Sequence, residues 1–330
     1  MARKTFRRKI VTPELVAKIN EDNKKIVERF LKDKATRSSG ETIKSYQSDA
    51  DIFFVWNVIN NNNKLFTEIK KLEFSDFFSF ASNDLQWKSA RMNRMRSFLS
   101  SLSQFIEKFM DEEYPQFRNI ILKTIESSPK EAARQKTILT DEQIEKLLKF
   151  LSETDAQKAC WLALAVYSGS RFSELLRFTT DLIDEEHTAF ENLFLETTKQ
   201  IQTKGRGKTG KMLYKYILKE DFLPYYRTWL EKRQSILLAT GQSHNYIFLR
   251  ENGSPATDGT VRSWITTMEN YLGVNVYPHA FRHFLCTELT RKKIPQAFIQ
   301  FLFGWSSSEM YNIYNDLTAK DMQWSLDNLK

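Results

Sequence analysis

Pro278-His279-Ala280-Phe281-Arg282-His283, Phe303-Gly304-Trp305 and Tyr311-Asn312-Ile313-Tyr314 lie in the last third of the chain, and they decide how the rest is read. The His-x-x-Arg spacing places His279 and Arg282 on one face of a helical turn. Tyr314 follows Trp305 by nine residues in a segment that also looks helical. Together they suit phosphoryl transfer. A guanidinium offers a planar fork of donors to phosphate oxygens, an imidazole exchanges protons near neutrality, and a phenol can act as a covalent nucleophile. Taken singly, His279 and Arg282 read more simply as surface helix residues and Tyr314 as a core aromatic, so the case must come from the remaining sequence.

Upstream, Ser168-Gly169-Ser170-Arg171-Phe172-Ser173-Glu174 reads as a tight turn opening a helix. A cation at a helix start gains nothing from the helix dipole, so Arg171 either pairs with Glu174 or serves as a phosphate ligand. Strands are expected at 190–195 and 212–218. Between them lies a glycine-bearing loop with Lys199, Lys204, Arg206, Lys208 and Lys211 and no acid after Glu196, the composition of a finger laid on a polyanion.

The first part of the chain is expected to be all-helical. Thr12-Pro13-Glu14 is a helix start, and the helix is read to about Lys34. A second begins at Glu41, a third covers 72–81 and a fourth 88–110. The fourth carries Lys88, Arg91, Arg94 and Arg96 without an acid before Glu107, which reads as a solvated basic face or as a helix presented to phosphates. Residues 111–137 look like a connector punctuated by Pro115 and Pro129, with a basic end at Lys130, Arg134 and Lys136. Thr140 to Gln143 form a capping box that opens a new domain. The expected organisation is a basic tail over 1–12, a helical domain over 13–112, a linker over 113–137 and a second domain over 138–330.

The length of 330 residues suits two cores, and 41% hydrophobic residues with 25 Phe supply them. The formal charge of +8 is unevenly placed, which points to a polyanionic partner. Cys160 and Cys286 show no pairing pattern and imply packing roles in a reducing compartment. The longest apolar run, 159–167, is about half of a bilayer span, and no signal peptide follows the basic start, so a soluble cytoplasmic protein is expected.

With these residues in place, the second domain resembles the tyrosine recombinases, the family of phage integrases, bacterial Xer proteins and Cre. The resemblance covers 138–330 and extends more loosely to the helical part as a core-binding domain. It implies a mainly α protein with a small antiparallel sheet in the catalytic domain, forming a two-domain DNA clamp. The family's arginine, hairpin lysine, His-x-x-Arg, His-or-Trp and tyrosine fall on Arg171, Lys199, His279, Arg282, Trp305 and Tyr314. Trp305 follows Arg282 by 23 residues, in agreement with the family. Trp305 stands where most members have histidine, and Lys204 and Lys208 remain alternatives to Lys199. Tyr311 is the rival nucleophile; Glu174 and His283 are supporting residues.

The resemblance further implies double-stranded DNA with specific recombination sites as the partner, gripped with help from the basic residues of the fourth helix, connector and hairpin. It implies a homotetramer on two sites joined through the C-terminal helix, with possible DNA-bending or directionality factors. No cofactor or metal and no membrane is expected. The chain would work by a 3′-phosphotyrosyl intermediate in the cytoplasm of a bacterial or archaeal cell, nucleoid-associated, on behalf of a phage or other mobile element. The lack of an arm-binding domain before residue 13 leans towards a simple Cre- or Xer-like system. A type IB topoisomerase, a telomere resolvase and a DNA-binding protein without turnover are the competing readings.

Overall fold

Helix signals in the sequence translate directly into the first unit of the computed structural model, which describes residues 10–129, 138–203, 205 and 210–314. The chain divides into two units, and the described residues 10–129 form the main body of the first. The helices of the first are α1 (Pro13–Ala17), α2 (Glu21–Ala35), α3 (Gly40–Asn60), α4 (Lys71–Asn83), α5 (Ser89–Phe109) and α6 (Ile121–Thr124). The single helix expected from Thr12 to Lys34 is two. The Asn20 side chain accepts from the Asp22 N–H at 2.8 Å and caps α2, so the chain breaks where an amide offers a competing acceptor.

Aromatic rings fill this unit. Phe53 is fully buried and meets Phe54, Phe66, Phe74 and Phe77 with ring centroids 5.0 to 5.8 Å apart, separations at which offset and edge-on pairs are favourable. Ile121 and Ile125 are buried in the same core, with Tyr114, Phe117 and Ile120 packed against it. The first half of the segment read as a linker is thus folded onto the helical unit. Its basic end, Lys130, Arg134 and Lys136, lies outside the described residues.

The second unit contains α7 (Asp141–Thr154), α8 (Ala156–Ser168), α9 (Phe172–Leu175), β1 (Thr188–Ala189), β2 (Phe194–Glu196), β3 (Ile201–Thr203), β4 (Lys211–Leu213), β5 (Tyr216–Leu218), α10 (Lys219–Thr240), α11 (Asp258–Leu272), α12 (Pro278–Arg291), α13 (Gln296–Phe303) and α14 (Glu309–Tyr314). The apolar run at 159–167 becomes α8. Residues 159–166 are all buried, with α7, α10 and α12 packed around the helix. The fold class is mainly α with small antiparallel sheets, as expected.

The strands depart from the sequence reading in two informative ways. Phe190, Glu191 and Asn192 adopt left-handed φ values of 54°, 55° and 65°, so the strand expected from Phe190 starts only at Phe194. The run at 212–218 is not one strand but two. β4 pairs with β3 in a separate hairpin, whereas β5 joins a three-stranded antiparallel sheet of order β1-β2-β5. Tyr214 and Lys215 make the step between the sheets. Among the described residues no helix is long and apolar enough to cross a membrane.

Replacing Phe53 by Ala should remove about 3–5 kcal/mol from the stability of the first unit, because five aromatic neighbours cannot all close on the cavity. Urea denaturation followed by tryptophan fluorescence reads this directly; a loss under about 1 kcal/mol would mean that the site collapses freely.

Candidate active site

Arg282 is the largest polar side chain in the interior, at 1% exposure. It sits in the first turns of α12, and its fork reaches two helix C-termini. Nη1 donates to the carbonyl of Gly169, the cap of α8, at 2.5 Å, and Nη2 to the carbonyl of Phe303, the last residue of α13, at 3.1 Å. Helix C-termini carry unsatisfied carbonyls and partial negative charge, so they are the natural backbone solvent for a buried cation. Both turns need a left-handed residue, with Gly169 at φ +55° and Gly304 at φ +65°; a Cβ on Gly169 would stand 2.7 Å from the Phe303 ring.

Three aromatic rings enclose the same guanidinium. Its Cζ lies 4.5 Å from the Phe303 ring centre and 5.2 Å from those of Trp305 and Tyr314. Burial, and after it the charge of Arg171, pushes Arg282 down to about 10, which still leaves it protonated at neutral pH.

Arg171 caps α9 from the turn that begins at Gly169. Its Nη1 lies 2.9 Å from Glu174 Oε1, and its backbone N–H donates to Glu174 Oε2 at 3.1 Å. The salt bridge allowed for in the sequence is present, and it fixes the arginine in place with 17% of its side chain exposed. Glu174 is fully buried, and Oε2 also accepts from Lys215 Nζ at 2.6 Å. Burial opposes ionisation of Glu174, yet Lys215 and then Arg171 outweigh it and hold the carboxyl down at about 2. Burial pulls Lys215 below its ordinary value; Glu174 opposes this, and Arg282 and Arg171 add to it.

Tyr314 is 8% exposed. Its ring stacks on Trp305 at 5.2 Å and 21°, lies 4.6 Å from the His283 ring and 6.2 Å from the His279 ring. Leu285, Cys286, Leu289, Ile299, Leu302 and Phe303 form the small core that seats it. Tyr311, the rival, turns its hydroxyl to Thr290 Oγ1 at 3.0 Å. Arg282 Nε, Trp305 Nε1 and Ser170 Oγ are buried here without a hydrogen-bond partner among the described residues. Such orphans are costly to bury, and they are the groups an anionic ligand would satisfy.

The structure therefore brings Arg171, Glu174, Arg282, His283, Trp305 and Tyr314 together, with the exposed His279 at the edge. Lys199 is engaged elsewhere. Its Nζ pairs with Asp181 at 3.2 Å and its side chain is 71% exposed. Lys204, Arg206 and Lys208 lie outside the described residues. On α5, Lys88 is exposed at the N-cap, but the three arginines are engaged internally. Arg91 and Arg94 pair with the buried Asp49 at 2.7 and 3.2 Å, and Arg96 donates to the carbonyls of Ile125 and Leu122. These arginines fasten the helix to its own unit, and among the three only Arg94, with 48% of its side chain exposed, keeps a large solvent-facing surface.

Lys215 was missed, although a signal existed. It is in phase with Leu213 and the buried Ile217 along an expected strand, and a lysine on the inward register needs a buried acid.

The sequence profile described as the phage integrase family matches residues 137–321, more than half of the chain. The chain belongs to the phage integrase family. It is thus an enzyme of the tyrosine recombinase class, and its reaction is site-specific DNA recombination. The SPbeta prophage-derived recombinase-like protein YomM of Bacillus subtilis is 27% identical over 292 residues, 86% of this chain and 83% of that protein. Among solved structures, XerH recombinase in its post-cleavage complex with palindromic difH substrate superposes with a TM-score of 0.62 at 18% identity, covering 86% of this chain and 79% of that one. The lambda integrase tetramer bound to a Holliday junction gives 0.62 at 18%, covering 88% and 76%. At these identities the structural likeness establishes the fold.

Glu174→Gln should lower stability at neutral pH by about 3–5 kcal/mol, since it leaves Lys215 and Arg171 without a counter-charge. The sign with pH follows from the depressed carboxyl. Its stabilisation is complete above the unfolded value of about 4.3 and is lost as pH falls through about 2, so the gap between wild type and variant should close across that window. Urea titrations at about pH 7, 4 and 2.5 test it; a constant gap would show that the carboxyl is not the source.

Proposed function

We propose that this recombinase cuts and rejoins double-stranded DNA at specific sites through a 3′-phosphotyrosyl bond on Tyr314, without metal or ATP. The observation that carries the reading is the seating of the Tyr314 ring over the buried Arg282 guanidinium, between Trp305 and His283. Arg171 and Arg282 hold the non-bridging oxygens of the scissile phosphodiester and meet the charge that grows on them. The phenol gives its proton to His279 as its oxygen attacks phosphorus. The bond to the 5′-oxygen breaks, and that oxygen takes a proton from a hairpin lysine, Lys199, Lys204 or Lys208. Attack by another 5′-hydroxyl on the phosphotyrosine reverses the step, so the ester bond is conserved and no energy source is consumed.

Trp305 serves this scheme through its indole N–H, which is buried without a partner among the described residues and able to donate to a phosphate oxygen. Residues 13–112 would form the core-binding domain and 138–330 the catalytic domain, closing on DNA from both sides. Lys88, Arg94 and the basic residues at 130–136 and 204–208 would contact the backbone. A homotetramer on two sites would exchange strands, by analogy with the lambda integrase tetramer bound to a Holliday junction; the C-terminal segment expected to join its subunits lies outside the described residues. Integration, excision or resolution of a mobile element inside the cell is the expected setting, with accessory DNA-bending or directionality factors where the sites require them.

Incubation with a nicked suicide substrate from flanking DNA should trap a covalent adduct mapped to Tyr314. Tyr314→Phe should abolish the adduct and leave DNA affinity within about threefold, because only the attacking oxygen is removed. Tyr311→Phe should keep the adduct; the reverse pattern would transfer the nucleophile to Tyr311. Relaxed circles without exchange would indicate a topoisomerase, and closed hairpin ends a resolvase. Trp305→Phe, which keeps an aromatic stack and deletes one donor, should slow adduct formation by about 10- to 100-fold, with a thermal transition close to wild type. An unchanged rate would remove the indole N–H from the mechanism.

A further inference from the structure

A fully buried carboxylate stands next to an arginine that is meant to meet a phosphate, and the two demands conflict. Glu174 binds Arg171 through both a side-chain and a backbone contact, so it would cancel the arginine's charge as well as position it. Lys215 resolves this. It is 3% exposed, and its Nζ stands 2.6 Å from Glu174 Oε2, whereas Arg171 Nη1 takes Oε1.

The fold goes to some length to place it. Lys215 lies at the step between β4 and β5, where the chain leaves one sheet for the other. Its backbone is pinned there by Thr197, whose N–H donates to the Lys215 carbonyl at 2.9 Å and whose hydroxyl accepts from the Lys215 N–H at 3.0 Å. Lysine is rarely buried without a reason, because losing water around an ammonium is expensive. A carboxylate satisfied by Arg171 alone would have kept the turn in place without that cost.

Charge counting supplies the reason. Arg171, Arg282 and Lys215 bring three positive charges and Glu174, held ionised at about 2, brings one negative, leaving two. A phosphodiester carries one negative charge, and an attacking phenolate adds a second, so the five-coordinate transition state carries two. Without Lys215 these fixed charges, counted apart from the proton-transfer groups His279 and the hairpin lysine, would match the ground-state diester only. An enzyme gains rate from what it offers the transition state beyond the ground state.

We propose that Lys215 is a positioning residue for the cleavage step: it neutralises Glu174, so that the acid can hold Arg171 while both arginines keep their full charge for the phosphorus. The proposal rests on the assignment of Tyr314, Arg171 and Arg282 to the cleavage reaction.

The test uses full-length protein and nicked suicide DNA in two forms, with an ordinary phosphodiester or an uncharged methylphosphonate at the scissile position. At saturating DNA, Lys215→Met should form adduct about 10- to 100-fold more slowly than wild type on the phosphodiester, with unchanged affinity. On the methylphosphonate, whose transition state carries one negative charge less, its deficit should fall within about threefold. The double variant Glu174→Gln/Lys215→Met removes both buried charges and restores the count of two, so it should recover to within about tenfold of wild type. It also keeps the test alive if Lys215→Met alone fails to fold. Equal slowing on both linkages would mark Lys215 as a purely structural ion pair and overturn the proposal, as would wild-type rates for Lys215→Met. Absence of any adduct with wild type on either linkage would instead overturn the phosphotyrosine reading itself.

Discussion

Everything around the candidate active site depends on solvating one guanidinium without water. Arg282 cannot shed its proton near neutrality, and at 1% exposure it has little contact with solvent. The protein replaces water with two helix C-termini and three aromatic faces. This requirement explains features that look unrelated in the sequence. Glycines end α8 and α13 because the carbonyls of Gly169 and Phe303 must turn towards one point, and left-handed caps do that at no steric cost. The Arg171 turn starts at the same Gly169, so the two arginines are fixed relative to each other by one tight piece of backbone. Burial lowers the value of Arg282, repulsion from Arg171 adds to it, and Glu174 opposes both.

Much of this was legible in advance, and the reasons differ by element. His279, Arg282, Trp305 and Tyr314 sit on or beside short helices whose spacing and order suffice to single them out. α7 was readable from Thr140 and Gln143 because capping is a local interaction, and both halves of the box are present. The strand at 212–218 was misread because alternation describes a residue's face but not its partner strand. β4 and β5 keep one alternation while changing sheets, and only tertiary pairing reveals the break at Lys215. The Phe190 run failed for a different reason: apolar residues that look like a strand can equally occupy left-handed turn positions when their rings are held by neighbours, as Phe190 is by Phe298.

The basic helix α5 shows the limit of charge patterns. Lys88, Arg91, Arg94 and Arg96 lack a nearby acid in sequence, which is why they read as a nucleic-acid surface. For the three arginines the acids and carbonyls come from elsewhere: Asp49 on α3 and the carbonyls of Leu122 and Ile125 at α6. Asp49 is fully buried, so removing its arginines would strand a charge in the helical core. A one-dimensional count of like charges therefore overestimates what a helix can offer to DNA, whenever long arginine side chains can reach back into their own domain.

The helix that carries Tyr314 makes the complementary point about stability and placement. α14 is described over only six residues, too few to be stable alone. Its position must come from packing, and the contacts are specific: the Tyr314 ring against Trp305 and His283, with the small core of Leu285, Ile299 and Phe303 beneath. An imidazole at position 305 could exchange protons but would offer a smaller face to the tyrosine. The indole gives up proton transfer in return for a broad stacking surface and one donor, which leaves His279 and His283 as the imidazoles beside the phenol. The same ring also covers Arg282. Trp305 thus couples the placement of the Tyr314 ring to that of the Arg282 guanidinium, so that any displacement of one is felt by the other.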